Sequence, residues 1–339
     1  MRAASIFEAG SIRLIDLPKP EINQANQVLI KTKRVGICGS DMHIFHGTNA
    51  LAAYPRIIGH EVCGEVIETG AEVSSIAAGD HVVVDPISHC GKCYACRNGR
   101  PNVCRDLSVF GVHQDGGLCE FFVLPEQNIL KVDSRIDWNE VVLAEPYTIG
   151  AQAVTRGNVQ PGDSVFIQGA GPIGISILKM AKIQGATVII SDLTQERLSF
   201  AQESGADFII NPQEDDIEER INEYTVGEGA NVVIDSVCLP HTFELSVRTA
   251  SIAGNVVVLG FNEAPSSIPQ VLITKKELTI TGSRLHTNQF TRVIDLISEK
   301  KLAELGLISH EFPLNEITSA LDFIENNPEI ARKAVIAFD

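Results

Sequence analysis

The run Gly169-Ala-Gly171-Pro-Ile173-Gly174 constrains the fold of this chain more than any other stretch. An apolar run, Asp163 to Gln168, precedes it, a helical pattern follows to about Gly185, and a second apolar run, Thr187 to Asp192, ends on a carboxylate. Glycines at this spacing are common in ordinary turns. Between a strand and a helix, with an acidic residue closing the next strand, they specify a βαβ unit whose backbone approaches a pyrophosphate at a helix N-terminus. Gly169, Gly171, Ile173 and Gly174 are therefore the expected dinucleotide cradle.

The texture after the cradle extends the same architecture. Helical and strand patterns alternate: helix from about Gln195 to Ser204, strand 208–210, helix near 216–225, strand 231–235, helix near 241–252, then strands 256–260 and 277–281. That alternation predicts a doubly wound parallel sheet. Its carboxyl ends, Leu259-Gly260-Phe261 and Ser283-Arg284, are expected to line the cofactor crevice. Asp192 is placed to bond the adenosine ribose hydroxyls and to repel a 2′-phosphate, which predicts NAD rather than NADP. Arg197, five residues on, is expected to contact the cofactor nearer its adenine edge.

Upstream, donor atoms crowd into a short segment. Cys38-Gly-Ser40-Asp41-Met-His43 is followed by Gly59-His60-Glu61. A catalytic zinc takes three protein ligands from thiolate, imidazole and carboxylate and keeps one position open, so Cys38, His60 and Glu61 are the candidate ligands. Alone, such residues are more often a buried thiol and a satisfied His-Glu pair. A second metal signature shifts that balance: Cys90, Cys93, Cys96 and Cys104 have C-x2-C-x2-C-x7-C spacing, able to wrap a tetrahedral zinc with no open position, with an iron–sulfur cluster as the rival reading. Runs 28–36, 62–69 and 81–85 read as strands among glycine turns, so the first domain is expected to be mostly β, a partly closed barrel with the zinc candidates on loops at its rim. Helical patterns from about 289 to 327 and a last strand, 334–338, are expected to close the chain.

At 339 residues, two domains are expected. A net charge of -16 argues against nucleic-acid and anionic-membrane partners. Glu8 follows Met1–Ile6 with no apolar stretch between, so no secretory signal is read, and no apolar run is long enough to span a membrane. Eight cysteines without such a signal point to metal ligands and free thiols in a cytoplasmic enzyme.

A Cys/His/Glu set, a four-cysteine lobe and a dinucleotide unit in this order resemble the zinc-dependent medium-chain dehydrogenases over essentially the whole chain. The motifs that carry the resemblance are Gly36-Ile-Cys38-Gly-Ser40-Asp41, Gly59-His60-Glu61, the lobe, Leu143-Ala-Glu145-Pro146 and Gly169 to Gly174. The resemblance implies an α/β chain in which a GroES-like β-rich catalytic domain, 1–150 and 285–339, is interrupted by a doubly wound Rossmann domain, 151–284, with catalysis in the cleft. It also implies two Zn²⁺ per subunit, a proton relay through Ser40 and His43, and Glu145 beside the metal. Glu61 and Glu145 are similar to the sorbitol and threonine dehydrogenase branch. The run Val109 to Gly117, with Tyr54-Pro-Arg56 and Ser283-Arg284-Leu285, is similar to bacterial starvation-sensing and hexonate 5-dehydrogenases.

The substrate implied is a hexonate such as L-gulonate or L-galactonate, oxidised at C5, with His113, Arg284 and Arg56 as carboxylate-binding candidates and either ring nitrogen of His113 able to donate. A polyol or amino alcohol is the alternative, and a non-catalytic NAD(P)H-binding relative is the alternative from another class. A homo-oligomer, dimer or tetramer, is expected.

Overall fold

The structure, a computed structural model, describes residues 1–302 and 306–338. The portion of the expected helical stretch 289–327 that falls on 303–305, and the last residue of the expected segment 285–339, lie outside the described residues. The chain forms two compact units, Met1–Glu145 with the segment from Phe290 onward, and Pro146–Gln289.

The first unit is built on a seven-stranded sheet. Its path runs Ile129–Val132, His81–Val84, Glu61–Thr69, Gln27–Gly36, Lys333–Ala337 and Ile308–Pro313, with Phe121–Pro125 also paired to Gln27–Gly36. Val28, Leu29 and Ile30 are buried and belong to the apolar run that the strand pattern requires. Neighbours pair antiparallel except Ile308–Pro313 with Lys333–Ala337, which run parallel. The two helical patterns expected over 289–327 are helices Phe290–Ser298 and Ile317–Asn326, and a strand that was not anticipated, Ile308–Pro313, lies between them. Six residues in half-exposed alternation, ended by Pro313, were masked by the strong helical periodicities of Phe290–Ser298 and Ile317–Asn326 on either side.

Two of the zinc candidates, Cys38 and His60, lie on irregular chain as expected, and Glu61 does not. Cys38 caps the N-terminus of a short helix, Gly39–Phe45, and Glu61 is the first residue of a central strand, with His60 immediately before it.

The second unit is a six-stranded, all-parallel sheet in the order Phe208–Ile210, Thr187–Ser191, Ser164–Gln168, Ala230–Asp235, Ala250–Val258, Thr279–Gly282. Helices cover the sheet, so Phe166, Ile189, Val233 and Val256 are fully buried, as the continuous apolar runs require. The expected helix near 241–252 stops at Thr249, and the chain enters its next strand at Ala250 without a loop. Ala250 and Ile252 continue the helical period, but pairing of Ala250 with Ala230 wins over that local pattern. Among the described residues no helix is long and apolar enough to cross a membrane.

Candidate active site

The site in the first unit begins with a strand register. Gly36 pairs directly with Glu61, so the segment that leaves Gly36 towards Cys38 starts beside the segment that brings in His60. Asp41, fully buried in the first turn of helix Gly39–Phe45, ties the two together: one carboxylate oxygen accepts the Cys38 N–H at 2.8 Å and the other the Gly59 N–H at 3.2 Å. Gly59 has φ +95°, a left-handed conformation that glycine adopts without strain, and this turn delivers His60 into the site.

The donor atoms of Cys38, His60 and Glu61 lie within 4.8 Å of one another. Nε2 of His60 stands 3.4 Å from the Ser40 hydroxyl, and its Nδ1 stands 3.6 Å from Asp41 Oδ1. Burial pushes the His60 imidazolium towards losing its proton, but the Asp41 charge and the neighbouring Cys38 raise its pKa well above the ordinary value. A buried pocket that favours positive charge, lined by thiol, imidazole and carboxylate, fits Zn²⁺. Asp41 then has the place of the outer carboxylate that orients a ligating histidine.

Glu61 is engaged by a residue that motif reading missed. Lys333, on strand Lys333–Ala337, donates from Nζ to both Glu61 carboxylate oxygens at 2.7 and 2.8 Å and approaches the Ile37 carbonyl at 3.3 Å. Burial pushes the Lys333 ammonium pKa down, while Glu61, Cys38 and Glu145 together hold it above the usual lysine value. The signal in the sequence was a lone lysine opening a buried apolar strand, Lys333-Ala-Val-Ile.

Glu145 is buried on the first turn of helix Ala144–Arg156 and contributes to the field at Lys333, but it is not one of the three mutually close donors. Ser40 and His43 are three residues apart on one helix and so share a face. His43 Nδ1 lies 2.9 Å from Thr48 Oγ1, and that hydroxyl reaches the His43 carbonyl at 3.3 Å.

The four-cysteine lobe closes on itself. Cys93 and Cys96 sulfurs are 3.5 Å apart, Cys104 and Cys90 3.4 Å, and Cys93 and Cys104 3.8 Å. Four sulfurs about 2.3 Å from one ion are separated by about 3.8 Å, so the lobe fits a tetrahedral zinc. Backbone N–H groups of Cys96 and Arg105 pull the Cys93 thiol down to about 6, towards the thiolate that such a metal needs.

In the second unit, Gly169 has φ +92° and turns the chain out of strand Ser164–Gln168. A Cβ at Gly174 would overlap the Gly169 carbonyl oxygen, whereas a Cβ at Gly171, the N-cap of helix Pro172–Ile183, would stand in open space. The two glycines thus differ: Gly174 lets helix and strand touch, and at Gly171 the helix N-terminus is open, as a diphosphate-binding turn requires. Ile173 lies in the first turn of that helix.

The Asp192 carboxylate accepts the Ala170 N–H at 2.9 Å and the Thr194 N–H at 3.0 Å, which fixes it beside the cradle. Arg197 stands 3.7 Å from the same carboxylate and partly offsets its charge. Leu259, Gly260 and Phe261 follow strand Ala250–Val258 as expected, and a Cβ at Gly260 would overlap Cys238. Ser283, which follows the neighbouring strand Thr279–Gly282, has a buried hydroxyl without a hydrogen-bond partner among the described residues.

The substrate candidates fare unevenly. Arg284 places its guanidinium 5.2 Å above the Phe261 ring. Arg56 pairs with Asp115 at 3.2 Å, so its charge is already shared. His113 Nδ1 accepts the Val109 N–H at 3.1 Å, which corrects the expectation that either ring nitrogen can donate: in the neutral ring only Nε2 carries the proton.

This geometry has counterparts among known proteins. Residues 24–134 match the alcohol dehydrogenase GroES-like domain and residues 172–299 the zinc-binding dehydrogenases. The chain is 39% identical over 342 residues to the starvation-sensing protein RspB of Escherichia coli K12, covering 100% of this chain and 99% of that protein. It is 35% identical over 325 residues to L-galactonate-5-dehydrogenase of the same strain, covering 95% and 94%. The crystal structure of a short chain alcohol dehydrogenase (rspB) from E. coli CFT073 complexed with NADH is similar at TM-score 0.94 and 38% identity, covering 100% of this chain and 99% of that one.

Proposed function

The chain belongs to the zinc-dependent medium-chain dehydrogenases, an oxidoreductase family, and on that premise we propose that it oxidises a hexonate at the C5 hydroxyl with NAD. The observation that carries the reading is the convergence of Cys38, His60 and Glu61 beside the Ser40 hydroxyl. A zinc ion bound there supplies Lewis acidity to a substrate oxygen. A second zinc, closed in by Cys90, Cys93, Cys96 and Cys104, is assigned a structural role, giving two per subunit.

The conversion balances as secondary alcohol plus NAD⁺ to ketone, NADH and a proton: the carbon-bound hydrogen leaves with its electron pair and the hydroxyl hydrogen leaves as the proton. Ser40 takes up that proton through its hydroxyl, and His43, exposed on the same helix face, passes it to solvent. Asp41 holds His60 in orientation. Glu145 is assigned to the metal surroundings as an outer or exchangeable carboxylate.

Asp192 supports NAD over NADP, as does the NADH in the similar crystal structure, while Arg197 works in the opposite sense. The hexonate assignment rests on similarity to L-galactonate-5-dehydrogenase and on Arg284, Arg56 and the Nε2 of His113 as donors for the far carboxylate. Cysteine usage dominated by metal-ligand spacing supports a cytoplasmic enzyme. Steady-state rates on L-gulonate, L-galactonate, sorbitol and L-threonine, with NAD and NADP, for wild type and Arg284→Ala, test the assignment. Hexonate oxidation that is the fastest and falls in the variant supports it. Equal or better use of sorbitol or threonine, with hexonate activity unchanged in Arg284→Ala, retires the hexonate in favour of a polyol or amino alcohol.

A further inference from the structure

The way helix Gly39–Phe45 ends decides what His43 touches. His46 caps the helix, and Gly47, at φ +73°, turns the chain back in the left-handed conformation that suits glycine. The Gly47 N–H then donates to the Ile44 carbonyl at 3.1 Å and the Thr48 N–H to the His43 carbonyl at 2.9 Å. These are the two bonds of a Schellman ending, which folds the second residue after the cap against the third residue before it. Those two positions commonly share an apolar contact. Here they are Thr48 and His43, and the contact is polar: Nδ1 of the ring lies 2.9 Å from the Thr48 hydroxyl oxygen.

A hydroxyl has one proton to give. Thr48 Oγ1 also lies 3.3 Å from the His43 carbonyl oxygen, which can only accept. With the hydroxyl proton on that carbonyl, the ring contact is a hydrogen bond only if Nδ1 carries the ring proton and donates it. The reverse arrangement, hydroxyl to Nδ1, sets oxygen lone pairs against each other at the carbonyl. In the neutral ring Nε2 is then bare and accepts. His113 is fixed the other way, since the Val109 N–H occupies its Nδ1 and leaves the proton on Nε2. One histidine is thus set to receive a proton at Nε2 and the other to donate from it.

We propose that Thr48 is a positioning residue of the proton path: it holds His43 as the Nδ1–H tautomer, so that Nε2 is the nitrogen that takes the proton. The proposal rests on the reading that Ser40 and His43 form the relay. Ser40 takes up the substrate proton and gives its own hydroxyl proton to Nε2, so one O–H bond breaks as one N–H bond forms. The imidazolium then releases the Nε2 proton to solvent, and the Nδ1 proton stays on Thr48 throughout. In the other tautomer Nε2 already carries a proton and cannot accept.

The test labels the histidines of the zinc-loaded protein isotopically and reads their ring tautomers by long-range proton–nitrogen correlation, at about pH 8.5, well above the ordinary imidazole range. The His43 signals are those lost in His43→Gln. Wild type is expected to carry the His43 proton on Nδ1. Thr48→Val keeps the shape but loses the hydroxyl, and shifts the tautomer ratio towards Nε2–H by about threefold or more, as loss of one hydrogen bond does. Thr48→Ser restores the ratio. With L-galactonate and NAD, kcat falls by about threefold or more in Thr48→Val, with KM within about twofold of wild type, and recovers in Thr48→Ser. A wild-type His43 protonated on Nε2, or a ratio that Thr48→Val does not move, overturns the proposal. So does a shifted ratio with kcat unchanged where His43→Gln lowers kcat. If Thr48→Val does not fold, the wild-type spectrum decides alone. If His43→Gln leaves kcat unchanged, the relay reading fails and not the tautomer assignment; if wild type does not turn over L-galactonate, the substrate reading fails and the spectra decide.

Discussion

Asp41 Oδ1 stands 3.6 Å from His60 Nδ1 while the same fully buried carboxylate accepts the backbone N–H groups of Cys38 and Gly59. One side chain thus sets the position of two donors that are far apart in sequence. Asp41→Asn keeps the volume but loses the charge and one acceptor oxygen. Zinc affinity at this site is expected to fall by about 10–100-fold, read by chelator competition. Unchanged affinity would show that Asp41 serves the backbone turn alone.

The two metal sites separate stability from activity. Cys93→Ser removes a thiolate from the closed lobe and is expected to cost on the order of 3 kcal/mol, about 6–12 °C in unfolding midpoint for a domain of this size. Cys38→Ala is expected to stay folded, with metal analysis showing one zinc fewer and turnover lost. Full turnover by folded, metal-free protein would contradict both assignments.

Gly171 and Gly174 differ in what surrounds them. Gly174→Ala drives a Cβ into the Gly169 carbonyl and is expected to destabilise the second unit by about 1–3 kcal/mol. Gly171→Ala meets open space, so its unfolding temperature stays near wild type while NADH affinity, followed by fluorescence titration, falls tenfold or more, about 1.4 kcal/mol. Normal NADH binding by Gly171→Ala would remove the cradle from the cofactor site.

Asp192 decides between cofactors if its charge outweighs that of Arg197, 3.7 Å away. Wild type is expected to favour NAD in kcat/KM, and Asp192→Ala to relax that preference. Because Asp192 also accepts two backbone N–H groups, the variant should lose about 1–2 kcal/mol of stability as well. Higher kcat/KM with NADP in the wild type would reverse the assignment.

Much of this protein is determined by sequence alone because the signals are local. Gly169, Gly174 and Asp192 lie within one βαβ unit, where turn, helix start and strand end are set by neighbouring residues, and the four lobe cysteines span fifteen positions. The parallel sheet followed from the same local alternation, except where pairing of Ala250 with Ala230 cut a helix short. The pairing of Lys333 with Glu61 was decided only by tertiary structure. The two residues are 272 positions apart, no motif links them, and they meet only because strand pairing places Gly36 between them. Likewise, only the fold shows that Arg56 is shared with Asp115 and that His113 donates through one nitrogen. Residue types show which chemistry is available, but how far each charge is already compensated depends on long-range pairing and burial.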